Sequence, residues 1–126
     1  MQVSNLPLLL LDNVSMSAVL NEGEFACSMM SLDEAKAIIE MYDAGDVLRC
    51  FSGAWLEEIV YDYLDIQGAQ FPFEKVMNMR PGQDAIVFKT YITPSATQPI
   101  IETDFNSEAK KIQNIYVHCQ YISRRA

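Results

Sequence analysis

The stretch RCFSGAWLEEIVYDYL, residues 49–64, sets a short apolar strand, a serine–glycine turn and a helix in immediate succession. A glycine between a strand and a helix lets the backbone come close to a ligand. The first-turn N–H groups of the helix point at that ligand, and the helix dipole favours an anion. The residues at this junction are binding types, not reacting types. Gly53 is followed by Ala54, which has no proton to give, and by Trp55, whose indole can stack on a nucleobase. The candidate site is therefore the backbone from Ser52 through Gly53 and Ala54 to Trp55, with Phe51 or Trp55 for a base. Trp55 also falls near the apolar side of its helix, where an indole serves equally as core.

Other chemistry is sparse. The chain has no P-loop, Gly-rich dinucleotide fingerprint, HExxH or GxSxG. Its three cysteines, Cys27, Cys50 and Cys119, are too few and too widely spaced for a disulfide framework or a zinc site, and read as buried free thiols. No metal or cofactor is expected. The single histidine, His118, lies in the alternating stretch NIYVHCQYI with no partner in sequence. The acidic residues of SLDEAKAIIEMYDAGD fall mostly off its apolar stripe and read as a solvated face.

The elements that must position the junction follow from hydrophobic period. The 126 residues read as one domain, 1–126, half of them hydrophobic, enough for a core. LPLLLLD is a continuous apolar run bounded by polar residues, hence a central strand. It is too short to span a bilayer and lacks the marks of a signal peptide, so a soluble chain is expected. NVSMSAVLNEGE reads as a loop and FACSMM as a short strand. Ser31 with Glu34 forms a capping box for a helix whose stripe is Leu32, Ala35, Ile38, Ile39 and Tyr42, with Gly45 as its stop. FPFEKVMNM alternates as a strand, RPGQD is a turn, and AIVFKTYI is a β-branched strand, the two strands forming a hairpin. TDFNSEAKKIQN reads as a short helix and IYVHCQYIS as the last strand. The expected fold is α/β or α+β, a single mixed sheet of five to six strands flanked by helices.

Charge limits the partners. Seventeen acidic against nine basic residues give a net charge of −8. Such a field repels DNA, RNA and anionic membranes. A small anion then needs a local site of fixed donors.

The order and spacing of LLLLDN, EGEFACSMMSLDEAKAIIEMYDAG, RCFSGAWLEEIVYDYLDI, FPFEKVMNM and PGQDAIVFKTYI resemble the viral ring nucleases, the type III anti-CRISPR proteins of archaeal viruses and phages. The resemblance covers residues 7 to 120. It implies a homodimer that binds cyclic tetra-adenylate across its interface and cleaves it without metal. The family's general acid is a histidine after the junction glycine, and here that position is Ala54. Its arginine and glutamate fall near Thr93 and Ala96. Lys75 retains a basic position, and Asn13 matches a ligand-contacting asparagine.

General acid catalysis is typically worth about 10²–10⁴-fold, so this pattern implies a binder rather than an enzyme. The expectation is a viral or prophage counter-defence protein in the cytoplasm of the infected host, sequestering a cyclic nucleotide signal as a homodimer or assembly of dimers. Asn13, Arg49, Lys75 and Lys89 are its expected polar contacts, Arg49 and Lys89 from their places at strand ends. Two rivals follow. One is an active ring nuclease with His118 as acid. The other is an acidic interaction protein that mimics nucleic acid against a basic effector.

Overall fold

The computed structural model describes residues 6–20, 23–75, 78–94 and 113–126. Strands β1 (Leu8–Leu11), β2 (Phe25–Met30), β3 (Val47–Arg49), β4 (Asp84–Pro94) and β5 (Gln113–Arg124) form one sheet. Its order is β2-β5-β4-β1-β3. β1 runs parallel to β3 and to β4, and β5 runs antiparallel to β4 and β2. Helices α1 (Asn13–Val19), α2 (Leu32–Glu40) and α3 (Ala54–Leu64) cover it. This is the mixed sheet with flanking helices that the sequence predicts, with five strands.

β1 explains why the sheet has helices on both sides. All four of its leucines are fully buried. Successive side chains of a strand point to opposite faces. Leu8 and Leu10 accordingly pack with α2 and α3, against Ile38, Ile39, Val60 and Leu64. Leu9 and Leu11 pack with Val19 of α1 and with Met79, Ala85, Val87 and Ile122.

Four expectations are corrected. The stretch after β1 is a helix rather than a loop. Asp12 caps α1 by accepting from the Ser15 N–H at 2.9 Å, and the Asp12 N–H donates back to Ser15 Oγ at 2.9 Å. FPFEK is not a hairpin strand: among the described residues its ladder pairing is a single parallel bridge between Phe73 and Arg49. β4 pairs instead with β1 and β5. Cys27 is exposed, whereas Cys50 and Cys119 are buried as expected. The chain turns after Glu40, ahead of Gly45, which lies in the 3₁₀ turn Ala44–Asp46. Most of the expected helix at 103–114 lies outside the described residues, and its last two residues, Gln113 and Asn114, begin β5.

The Ser31–Glu34 capping box is formed, with both bonds at 3.1 Å. The stripe Ala35, Ile38 and Ile39 is buried. The turn before β4 places Gly82 at φ 85°, a conformation side chains rarely adopt. Gln83, 3% exposed, ties this turn to the start of β1 by donating to the Pro7 carbonyl at 3.0 Å. Burial pushes the Cys119 thiol up to about 11, with the Glu34 charge adding to it, so it is an inert core group. Among the described residues no helix is long and apolar enough to cross a membrane.

Past α3 the chain closes tightly. Gly68 lies against the Tyr61 ring, where a methyl group would overlap ring carbons. The ring is held by Phe51 edge-on at 5.9 Å and by its hydroxyl donating to Glu57 at 2.7 Å. Gly68→Ala is therefore expected to cost about 1–3 kcal/mol, as overpacking does, read as a lower thermal midpoint with unchanged helix content.

Candidate functional site

The carboxyl ends of β1 and β3 lie side by side, and the chain leaves them toward opposite faces of the sheet. After β1 it enters α1, and after β3 it enters α3. In open sheets with parallel strands such a divergence opens a crevice where ligands bind. Here the crevice is a cleft of about 380 Å³ lined by Val14, Ser15 and Ala18 of α1, Cys50, Phe51 and Ser52 after β3, and Phe73 and Lys75.

Asp12 holds the two sides together. It is 1% exposed and sits at the end of β1. Oδ2 accepts from the Ser52 N–H at 2.7 Å and from Ser52 Oγ at 2.8 Å. Oδ1 accepts from the Ser15 N–H at 2.9 Å and Ser15 Oγ at 3.0 Å. Burial alone raises a carboxyl pKa and is the largest single influence here; the bonds from Ser15 and Ser52 together outweigh it and hold Asp12 below its ordinary value. The group is an ionised brace and has no proton to donate. Sequence reasoning treated Asp12 only as the polar end of a strand. The available signal was Asp12 followed three residues later by Ser15, an N-cap pattern.

The helices differ at their starts. α1 and α2 each begin with a complete capping box. α3 begins at Gly53 with no side-chain cap. First-turn amides have no acceptor within their own helix, so the α3 start can offer donors to an anion. Ser52 is not one of them, because its N–H and hydroxyl both go to Asp12. Gly53 has φ −125° and ψ 125°, extended backbone open to any residue, and a Cβ there would meet nothing within 4 Å. Its value is the open approach it leaves.

The remaining expected residues divide. Lys75 lines the cleft and is exposed. Phe51 reaches the cleft but is 5% exposed, its ring stacked on Phe88 at 6.0 Å and fixed in the core. Trp55 and Ala54 lie on the first turn of α3, Trp55 half-buried and Ala54 exposed, and neither lines the cleft. Asn13 is exposed at the first position of α1 and does not line it either. Arg49 is committed elsewhere: Nε donates to the Phe71 carbonyl at 2.8 Å and the guanidinium pairs with Glu57 at 3.2 Å. It also lies 5.8 Å from the centre of the Phe73 ring. Lys89 lies away from the cleft, opposite His118 on β4 and β5, in a shallow hollow with Met29 and Gln120. His118 is likewise outside the cleft. Thr93 belongs to β4, and Ala96 lies outside the described residues.

The aromatic that sequence reasoning missed is Phe73, 58% exposed at the cleft wall. Backbone bonds on both sides of Arg49 fix its segment: the Arg49 N–H donates to the Pro72 carbonyl at 2.8 Å, and the Glu74 N–H donates to the Arg49 carbonyl at 3.1 Å. Among the described residues no cluster of His, Cys, Asp and Glu is arranged to hold a metal.

No protein-family model matches the chain, and no curated protein matches it significantly. A solved structure does. The fold is shared with a viral protein. That protein is B116 of Sulfolobus turreted icosahedral virus, which superposes with a TM-score of 0.58 over 94% of this chain and 99% of its own. The identity is 11%, so the likeness is one of fold. The matched length means that B116 has the same whole architecture, not one shared motif.

Proposed function

We propose that this chain is a viral counter-defence protein that binds a cyclic nucleotide immune signal and sequesters it without turnover. The observation that carries the reading is the uncapped start of α3 beside a cleft with an exposed phenylalanine wall and a lysine. The fold shared with a viral protein and the resemblance to ring nucleases support a viral setting for this reading, in which the protein acts in the cytoplasm of an infected cell.

The chemistry divides as follows. A purine stacks on Phe73. Its phosphate meets the amides at the start of α3, with Lys75 for charge. Such a local arrangement is needed because the net charge of −8 repels anions at long range. The cleft is at the small end of ligand-pocket volumes and suits one base with its phosphate. A cyclic oligonucleotide has at least two such units, so for a signal of that class the reading includes a homodimer that brings two clefts to one ring. Turnover is disfavoured because Asp12 is ionised, and the hydroxyls of Ser15 and Ser52 are committed to it.

The test is extraction. Protein purified from cells with active cyclic-nucleotide defence is heated, and the supernatant is analysed by mass spectrometry. A cyclic nucleotide is expected, intact. Calorimetric titration of that compound into Phe73→Ala is expected to show about 5- to 150-fold weaker binding, the range for loss of a base–aromatic contact. Lys75→Ala is expected to bind more weakly and with less sensitivity to salt. Linear products would favour the nuclease. Absence of nucleotide, or unchanged affinity in both variants, overturns the reading.

A further inference from the structure

Arg49 is the last residue of β3, and it holds two separate elements at once. On one side its guanidinium pairs with Glu57 at 3.2 Å. Glu57 belongs to the first turn of α3, and its side chain, 14% exposed, also accepts from the Tyr61 hydroxyl at 2.7 Å. On the other side Nε donates to the Phe71 carbonyl at 2.8 Å. The Arg49 backbone adds two bonds to the same segment, donating to the Pro72 carbonyl and accepting from the Glu74 N–H. The guanidinium carbon lies 5.8 Å from the centre of the Phe73 ring, within cation–π range.

These two elements are the two halves of the cleft's chemistry. The start of α3 brings the amides, and the segment 71–74 brings Phe73, with Lys75 directly after it. Phe71 anchors one end of that segment in the core. Beyond Phe71, Arg49 supplies the ladder bridge, both backbone bonds and the cation beside the ring. A planar guanidinium serves an acceptor on each side in one fixed geometry, which a single ammonium cannot do.

We propose that Arg49 is a positioning residue for the cleft: by joining the first turn of α3 to the segment 71–74, it sets the span between the amides that take the phosphate and the ring that takes the base. The proposal rests on the nucleotide reading above, and it replaces the expectation that Arg49 itself contacts the ligand. A nucleotide presents its base and phosphate at a limited range of separations. A wall already held at that span binds without the cost of ordering it. The pairing has a second effect. It neutralises a carboxylate on the first turn of α3, where free negative charge would repel an anion.

The test removes the pair without leaving a lone charge. Arg49→Met combined with Glu57→Gln keeps much of the packing volume, and the glutamine oxygen still accepts from Tyr61. Without ligand, NMR relaxation of the Phe73 ring is expected to show wider motion in this double variant than in wild type, at unchanged circular dichroism. Wild-type motion there overturns the proposal, whatever the ligand. NMR titration with AMP and GMP, each one purine with one phosphate, reads the consequence. The double variant is expected to bind about 5-fold more weakly, within the coupling usual for residues in contact, and with unchanged salt dependence. With Phe73→Ala already present, the same pair of substitutions is expected to change affinity by less than about 2-fold, because no ring is left to position. An equal loss in both backgrounds overturns the proposal and leaves the nucleotide reading standing. A flatter salt dependence means that Arg49 touches the phosphate, and overturns it as well. No binding by wild type, or none lost in Phe73→Ala, overturns the nucleotide reading and with it the use proposed for Arg49. Arg49→Lys keeps a charge opposite Glu57 without the fork and is expected to fall between wild type and the double variant. It carries the same measurements should the double variant not fold.

Discussion

Asp12→Ala is expected to lower the thermal midpoint by about 10 °C, the largest stability effect of any single change outside the apolar core. Hydrogen bonds to a charged group contribute about 1.5–3 kcal/mol each in favourable cases, and buried donors left without a partner cost about 1–3 kcal/mol. Alanine at this position leaves the amides of Ser15 and Ser52 without their acceptor. Some of that loss is recovered by water entering from the cleft, so a net cost of about 3 kcal/mol is expected. Asp12→Asn tests the same point without a cavity. It replaces one acceptor oxygen by a donor that faces donors, and it is expected to recover less than half of the loss. Thermal melts of the three proteins at neutral pH decide it. A midpoint for Asp12→Ala within about 2 °C of wild type would show that the brace is not used.

The same carboxylate sets an acid limb. Its folded-state pKa is depressed below the ordinary value of 3.8. The unfolded chain therefore binds the proton more readily. Its contribution to stability is fully present above that value and is lost as pH falls through the folded pKa. The gap in midpoint between wild type and Asp12→Ala is expected to be constant from pH 7 to about pH 5 and to narrow below pH 4.

Gly53→Asp is expected to move stability and binding in opposite directions. An aspartate at the N-cap can accept from first-turn amides and place negative charge at the positive end of the α3 dipole. Those two effects together are worth about 0.5–1 kcal/mol. The backbone needs no adjustment, because Gly53 is already extended and has open space where a Cβ would go. The same carboxylate occupies the donors proposed for a phosphate and repels it. Affinity for the extracted nucleotide is expected to fall by at least about 100-fold, an amount equal to roughly 2.7 kcal/mol. Gly53→Val blocks approach by bulk alone and is expected to weaken binding without the gain in stability. A nucleotide that binds Gly53→Asp as tightly as wild type places the anion elsewhere.

Much of this protein was decided locally and can be read along the chain. Four consecutive leucines require burial on both faces, which fixed β1 as an inner strand between helices. Ser31 and Glu34 close the start of α2 from three residues apart, and Gly82 supplies the one turn conformation that its neighbours cannot. The absence of a histidine after Gly53 is a fact of sequence, and it is why binding rather than acid catalysis is the expectation at this junction. The cleft needed the tertiary structure. α1 has seven residues, too short to be stable alone; it forms because Asp12 is also bonded to Ser52, forty positions along the chain. Phe73 reads as a strand residue by alternation, yet it becomes a cleft wall because the edge of β3 takes its neighbours' backbone groups. Phe51 and Trp55 are equally aromatic in sequence, and only packing decides that Phe51 is locked in the core beneath the cleft while Trp55 is half-buried on the first turn of α3, outside the cleft lining. Local pattern fixes which side chains seek burial or a cap. It cannot fix which distant backbone will supply the missing partner, and in this protein those long-range bonds build the site.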